Sequence, residues 1–194
     1  MIIQMFQFSM NMIIPLLMQN GLKTSTFVSA LVLLPGILIG AVLTPINGHI
    51  FDKFGGKILI PIGFVLLFTF SFLLSRVTTS ASILQITILY CFVMIGQSMT
   101  MSSSQTTALN QLPPKNNPDG VAIVNTAMQL AGALGSALFV GIMTAFQNNY
   151  LKTSHNEVKA IFNGFNHSAT IAAILMAVGF ILSLFLSLNS KLKQ

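Results

Sequence analysis

The sequence predicts an all-α membrane protein with six transmembrane helices in a single bundle over residues 1–194. Of these residues, 54% are hydrophobic and only 6% are charged, and the mean hydropathy is +0.82. Soluble domains carry about 25% charged residues, so a core of this size could not hide so much apolar sequence from water. A transmembrane helix needs about 20 apolar residues. Runs of that length are predicted at residues 1–20, 27–48, 57–75, 83–108, 121–146 and 168–188.

The first span is apolar from Met1 onward but carries amides at Gln4, Gln7 and Asn11. Amides are costly in lipid and tend to face the bundle interior or a cavity. Plain hydrogen bonding between helices would explain them equally well. Pro15 is expected to kink this helix near its end. Because no loop precedes the span, the sequence suggests a chain cut, or a start codon, inside a longer reading frame.

The second span is interrupted by small and bending residues, whereas the third is uniformly apolar. Gly36 and Gly40 should let another helix approach closely, since small residues four apart share one helix face. Pro35 and Pro45 should bend the second span. The third span is expected to sit at the periphery and face lipid.

The fourth span turns polar in its second half, where Gln97 and Gln105 are expected to face other helices. The fifth span follows a proline-rich loop and carries small residues at four-residue spacing, among them Gly132 and Gly135, which should make a flat packing face. Residues 147–167 are polar and are predicted to be a solvated connection to the sixth span.

The ten residues from Gly48 to Lys57 form a charged, glycine-rich hinge between the second and third spans. Glycine allows a sharp turn. The Asp52 carboxylate is expected to accept from N–H groups at the start of a helix, and the lysines to hold lipid phosphate or a helix C-terminus. The hinge resembles the loop motif G-x-x-x-D-(R/K)-x-G-(R/K)-(R/K) of the major facilitator superfamily, with Gly56 where a basic residue is usual. The matching positions are Gly48, Asp52, Lys53, Gly55 and Lys57.

Two longer stretches resemble one group within that superfamily, the fourteen-span drug/proton antiporters. The second span, with Leu34-Pro35-Gly36, Pro45 and then the charged hinge, is similar to the eighth core helix of the group. Residues 112–144 are similar to its penultimate helix and the preceding loop. The resemblance implies the C-terminal six-helix half of a facilitator fold. It also implies proton-coupled efflux of amphipathic or cationic compounds by alternating access.

Such a half would supply one wall of a central cavity. The wall residues are inferred from polarity and depth alone, and methionine and phenylalanine beside amides suit loose recognition. The three acids, Asp52, Asp119 and Glu157, all lie in predicted loops, so the proton-carrying groups would belong to an N-terminal half. The chain is therefore predicted to be inactive without that partner. The expected wall residues are Gln4, Phe8, Asn11, Gln97, Met101 and Gln129.

The sequence predicts neither an enzyme nor a metal or cofactor site. It shows no serine-histidine-acid set, no phosphate loop and no metal-ligand spacing, and His155 and His167 are read as surface residues. Nucleic acid is not an expected partner, because the basic residues are scattered at span ends. Two alternatives stay open: half of an exporter for one specific metabolite, and a six-span membrane protein without a transport role.

The basic residues also predict which side faces the cytoplasm. Five lysines fall on the side that holds both termini and four basic residues on the other, a small excess that favours a cytoplasmic position for both termini. The resemblance implies the same orientation, because the motif loop is cytoplasmic in that superfamily, and it implies a bacterial plasma membrane. The first set is Lys53, Lys57, Lys115, Lys191 and Lys193, and the second is Lys23, Arg76, Lys152 and Lys159.

Overall fold

The computed structural model describes residues 1–189, together with their side chains except those of Pro114 and residues 186–189. Lys191 and Lys193, used above to predict sidedness, lie outside the described residues. Six segments within the described residues are long and apolar enough to cross a membrane, and the first of them, Ile2–Gly21, is an α-helix together with the π-helical turn that follows it. The described residues contain six α-helices. They are α1 (Ile2–Leu16), α2 (Thr26–Phe54), α3 (Gly56–Leu74), α4 (Ile83–Leu109), α5 (Asn117–Ser154) and α6 (Glu157–Asn189).

The predicted all-α, six-span fold is confirmed, and no strand occurs within residues 1–189. Serine side chains cap the starts of α2 and α4. The Ser25 hydroxyl accepts from the Val28 N–H at the start of α2, and the Ser82 hydroxyl accepts from the Gln85 N–H at the start of α4. Just after Pro15, α1 passes into one π-helical turn at Leu17–Gly21, which carries the chain towards α2.

The predicted polar connection at residues 147–167 is wrong. α5 continues to Ser154 and α6 starts at Glu157, so the two helices form a hairpin with a two-residue turn. His155 adopts the left-handed conformation (φ 48°), and the Asn156 Oδ1 accepts from the Lys159 N–H at 3.0 Å. The residues are polar because this part of the helices extends past the apolar segments, not because the chain leaves the helix.

The hinge at Gly48–Lys57 is also shorter than predicted. α2 continues to Phe54 and α3 begins at Gly56, so only Gly55 breaks the helix, with φ 73° and ψ 165°. α3 begins without a side-chain cap, and Asp52 lies exposed on the last turn of α2. The expected capping by Asp52 is therefore not seen among the described residues.

The helices pack in two groups that meet along α3 and α6. α2 and α3 each pack along α4, whereas α1 and α6 each pack along α5, and α3 packs against α6. The interior is filled by large buried side chains such as Phe6, Met10, Tyr90, Phe139 and Phe165. α3 presents an exposed apolar row that suits the lipid-facing position predicted for it, formed by Ile58, Ile62, Val65, Phe68 and Phe72.

Three of the four glycines predicted to pack helices lie at close contacts. A Cβ added at Gly36 would lie 2.6 Å from the Tyr90 ring, one at Gly132 2.9 Å from the Phe8 ring, and one at Gly135 2.5 Å from the Met5 Cα. Gly40 differs, since its added Cβ would lie 3.8 Å from Met94, an ordinary contact distance.

A further close approach, between α3 and α4, was not predicted. A Cβ at Gly96 would lie 2.9 Å from the Gly63 carbonyl oxygen. These two glycines therefore set the spacing between α3 and α4.

Candidate functional site

A cavity of about 300 Å³ lies where α2 and α4 meet, with α1 beside them. α4 contributes most of its wall, α2 contributes the rim, and α1 contributes the single residue Gln7. Ile37, Ala41 and Thr44 on the α2 side are exposed, so the cavity opens to the surface of the described chain. The α4 wall consists of Met94, Gln97, Ser98, Met101, Ser102, Gln105 and Thr106.

The polar half of α4 becomes a cavity wall because its residues recur at helical spacing. Met94, Gln97, Met101 and Gln105 are three or four apart and therefore share one helix face. A serine hydroxyl on this wall is satisfied within the helix itself, since the Ser98 hydroxyl donates to the Ile95 carbonyl at 2.9 Å. A glutamine amide has more hydrogen-bonding groups than such local bonds can satisfy.

Gln97 has the unsatisfied group that matters most. Its side chain is buried, and its Oε1 has no hydrogen-bond partner among the described residues. The Oε1 of Gln4 on α1 is likewise buried and has no hydrogen-bond partner among the described residues. An unpaired buried acceptor costs about 1–3 kcal/mol, so a ligand or water that donates to Gln97 would recover that free energy.

Gln4 and Gln97 lie at a similar depth in the bundle. α1 and α4 run antiparallel, and the Tyr90 hydroxyl on α4 donates to the Asn11 Oδ1 on α1 at 2.7 Å. Seven residues back from Asn11 is Gln4, and seven residues forward from Tyr90 is Gln97. Both steps cover about 10 Å of helix axis, so two unpaired acceptors occupy one level of the protein.

The structure brings together only part of the predicted cavity wall. Gln97 and Met101 line the cavity. Asn11 instead ties α1 to α4 through Tyr90, and Phe8 packs against Gly132 on α5. Gln129 is exposed on α5 and does not line this cavity.

Two polar residues belong to this site that the predicted wall did not include. Gln7 lines the cavity, and its signal in the sequence is that it lies on the same face of α1 as Gln4 and Asn11. Asn47 is buried at the end of α2, where its Nδ2 donates to the Ser98 hydroxyl at 2.9 Å. This hydrogen bond holds the rim helix to the wall helix next to the cavity.

Within residues 1–189, lysine, arginine and acidic side chains lie at the ends of the helices or in the connections between them. Asp52 and Lys53 are exposed at the end of α2, and Lys57 is exposed on the first turn of α3. Asp119 and Glu157 lie in the first turns of α5 and α6. Within residues 1–189, no group of three histidine, cysteine or acidic side chains is placed to hold a metal ion.

Comparison with known proteins finds a match to one family. Residues 1–136 match the Major Facilitator Superfamily. The lincomycin resistance protein LmrB of Listeria monocytogenes is 37% identical over 179 residues, and LmrB of Bacillus subtilis is 39% identical over 181 residues. The MFS-type transporter YcnB of Bacillus subtilis is 36% identical over 172 residues. These alignments cover 88–90% of this chain but only 36–38% of the relatives, so the chain spans little more than a third of their length.

Proposed function

Because the chain belongs to the major facilitator superfamily, we propose that it is the C-terminal six-helix half of a fourteen-span drug/proton antiporter. The match over residues 1–136 and the six membrane-capable helices support a transporter bundle. The relatives are more than twice as long as this chain, which leaves room for the second half that facilitator transporters need. Membership of a transporter family favours this function over a six-span protein without a transport role.

The unpaired Oε1 of Gln97 is the observation that carries the proposed substrate class. It belongs to a residue that lines the cavity, together with Met94, Met101 and Ile37. An amphipathic compound with a protonated amine would donate to the amide oxygen and place its apolar part against the methionines. Flexible methionine side chains accommodate different shapes, which suits the export of several compounds rather than one.

Proton coupling is assigned to the partner half. All three acids of this chain lie at helix ends, and a group that changes charge within the membrane is usually a buried carboxylate. In this proposal the proton gradient drives export across a bacterial plasma membrane, with both termini in the cytoplasm. Lincomycin is the first compound to test, because two of the relatives are named for resistance to it.

The test replaces Gln97 with an apolar residue of similar size in cells that express the transporter containing this chain. Gln97→Leu should lower efflux of lincomycin or of a cationic dye about tenfold, since a hydrogen bond to a charged donor contributes about 1.5–3 kcal/mol. Gln85→Leu is the matched control, because Gln85 is exposed in the first turn of the same helix. Undiminished efflux in Gln97→Leu cells, at equal expression, would contradict the assigned role of the cavity.

A further inference from the structure

A second cavity, of about 540 Å³, lies at the other end of the bundle from the Gly48–Lys57 hinge. It lies between the C-terminal end of α3 and the side of α6. The first turns of α6, from Glu157, extend beyond the end of α3 and form the hairpin with α5. None of the lining residues of this second cavity belongs to the cavity between α2 and α4. Seven of its eight lining residues are of polar type, among them Ser75, Arg76, Thr78, Asn163, Asn166 and His167.

Arg76 supplies the charge of this cavity. It follows α3 by two residues, and α3 is 19 residues long, or about 28 Å at 1.5 Å per residue. That length matches the hydrocarbon thickness of a bilayer, so the guanidinium lies at the level of the lipid headgroups. It packs over the Phe72 ring at 4.8 Å, which holds the cation above the apolar part of α3.

Arg76 is the only arginine or lysine that lines the cavity, and two hydroxyls of the lining already donate to nearby carbonyls. The Ser75 hydroxyl donates to the Phe72 carbonyl at 2.7 Å, and the Thr170 hydroxyl donates to the Asn166 carbonyl at 2.7 Å. None of the three acids of the sequence lines the cavity. A guanidinium without a carboxylate beside it is well suited to a phosphate, which it binds through two parallel hydrogen bonds.

Asn166 adds an unused acceptor next to this cation. Its Oδ1 is buried and has no hydrogen-bond partner among the described residues. The neighbouring His167 ring stacks on Phe146 with centroids 4.1 Å apart, and its Nδ1 donates to the Asn163 carbonyl at 3.0 Å. These contacts hold the His167 side of the cavity in place. The unpaired Asn166 oxygen would be satisfied by a ligand that carries a hydrogen-bond donor such as a hydroxyl.

Exposed apolar side chains of α3 and α6 lie beside the cavity, towards the middle of the membrane. Gly179 of α6 packs against the Phe64 ring of α3, and because these helices are antiparallel, Phe68 and Phe72 lie level with the part of α6 around Ile171. Both phenylalanines and Ile171 are at least 36% exposed, and Ile171 also lines the cavity. A soluble anion would leave this apolar surface exposed, whereas the acyl chain of a lipid would cover it.

We propose that this cavity binds the headgroup of an anionic phospholipid. Arg76 donates to the phosphate, Asn166 accepts from a headgroup hydroxyl, and an acyl chain lies along Phe68, Phe72 and Ile171. The lipid belongs to the leaflet opposite the Gly48–Lys57 hinge. It closes the corner between the two helix groups that meet along α3 and α6, so it would stabilise their packing.

The test measures lipid binding to the purified full chain in detergent. Native mass spectrometry with equal amounts of phosphatidylglycerol and phosphatidylcholine should show preferential retention of phosphatidylglycerol. Arg76→Gln should weaken phosphatidylglycerol binding about tenfold, the usual size of the loss of one charge-assisted contact. Lys152→Gln is the matched control, because it removes the same charge from an exposed position at the same end of the bundle, outside the cavity.

Arg76→Lys keeps the proposal testable if the glutamine variant fails to fold. An ammonium group keeps the charge but cannot make two parallel hydrogen bonds, so we expect a loss of a few-fold. Equal binding of the two lipids would overturn the proposal, as would equal losses in Arg76→Gln and Lys152→Gln. Displacement of phosphatidylglycerol by inorganic phosphate at matched concentration would assign the cavity to a soluble anion and would also overturn it.

Discussion

Gly135 shows how a single residue fixes the distance between two helices. A Cβ at this position would lie 2.5 Å from the Met5 Cα and 2.6 Å from the Met5 carbonyl oxygen, and neither backbone atom can turn aside as a side chain could. Gly135→Ala should therefore push α5 away from α1 and lower the free energy of unfolding by about 1–3 kcal/mol. The measurement is the thermal unfolding midpoint of the purified chain in detergent.

Gly141 provides the matched control on the same helix. Nothing lies within 4 Å of a Cβ added there. Gly141→Ala should leave stability unchanged or raise it by up to about 1 kcal/mol, because alanine is the better helix former. If both variants unfold at the same temperature, the packing role of Gly135 is wrong.

Residue type and depth allowed part of the site to be predicted from the sequence. Gln97 and Met101 stand out because the second half of α4 is polar where a membrane helix should be apolar. The direction in which a side chain points was harder to predict. Gln4, Gln7 and Asn11 share one face of α1, so polarity and spacing could have placed Gln7 in the wall, whereas the packing of Phe8 against Gly132 on α5 depends on how the helices assemble. The exposed position of Gln129 depends on how α5 packs against α1, and only the assembled bundle shows this.

At the scale of elements, Gly55 alone separates α2 from α3. Its φ of 73° with ψ of 165° is a conformation that is essentially restricted to glycine. Gly55→Ala should therefore strain the turn and lower the free energy of unfolding by about 1–3 kcal/mol. Nothing lies within 4 Å of an added Cβ, so the backbone conformation is the only cause of this cost.

Gly48→Ala separates this cause from a general effect of losing a glycine in the hinge. Gly48 lies inside α2, also with nothing within 4 Å of an added Cβ, and it lacks the positive φ. Thermal unfolding should show Gly48→Ala as stable as the original chain or slightly more stable. A similar loss in both variants would mean that the turn does not depend on the conformation of Gly55.

The number of helices could be predicted from the sequence, but their ends could not. Apolar runs identify the six spans, because burial in lipid depends on composition and length. The same reasoning misplaces the helix ends, because it treats a polar stretch as the end of a helix. α5 and α6 continue through Lys152 and Lys159 because the solvated part of a helix tolerates polar residues as well as a loop does. The two helices are separated only by the two-residue turn at His155 and Asn156.

At the scale of the whole molecule, the open cavity supports a need for a second bundle. α4 packs along α2 and α3, and Met94, Gln97 and Ser98 of its cavity wall are buried. The rim on α2, at Ile37, Ala41 and Thr44, is exposed. An exporter must close its cavity alternately towards each side of the membrane, and a single six-helix bundle with an open rim has no second wall to do so. The chain expressed by itself should therefore give no efflux above that of empty cells.

Co-expression tests this requirement directly. Cells that produce residues 1–194 together with the N-terminal half of a matching transporter should regain lincomycin efflux that depends on the proton gradient, and a protonophore should abolish it. Adding Gln97→Leu to the co-expressed chain should again lower that efflux, which links the recovery to this cavity rather than to the partner alone. Efflux from cells with the chain alone would contradict the two-half architecture. It would mean that a second copy supplies the missing wall, and that proton coupling does not require a carboxylate inside the membrane.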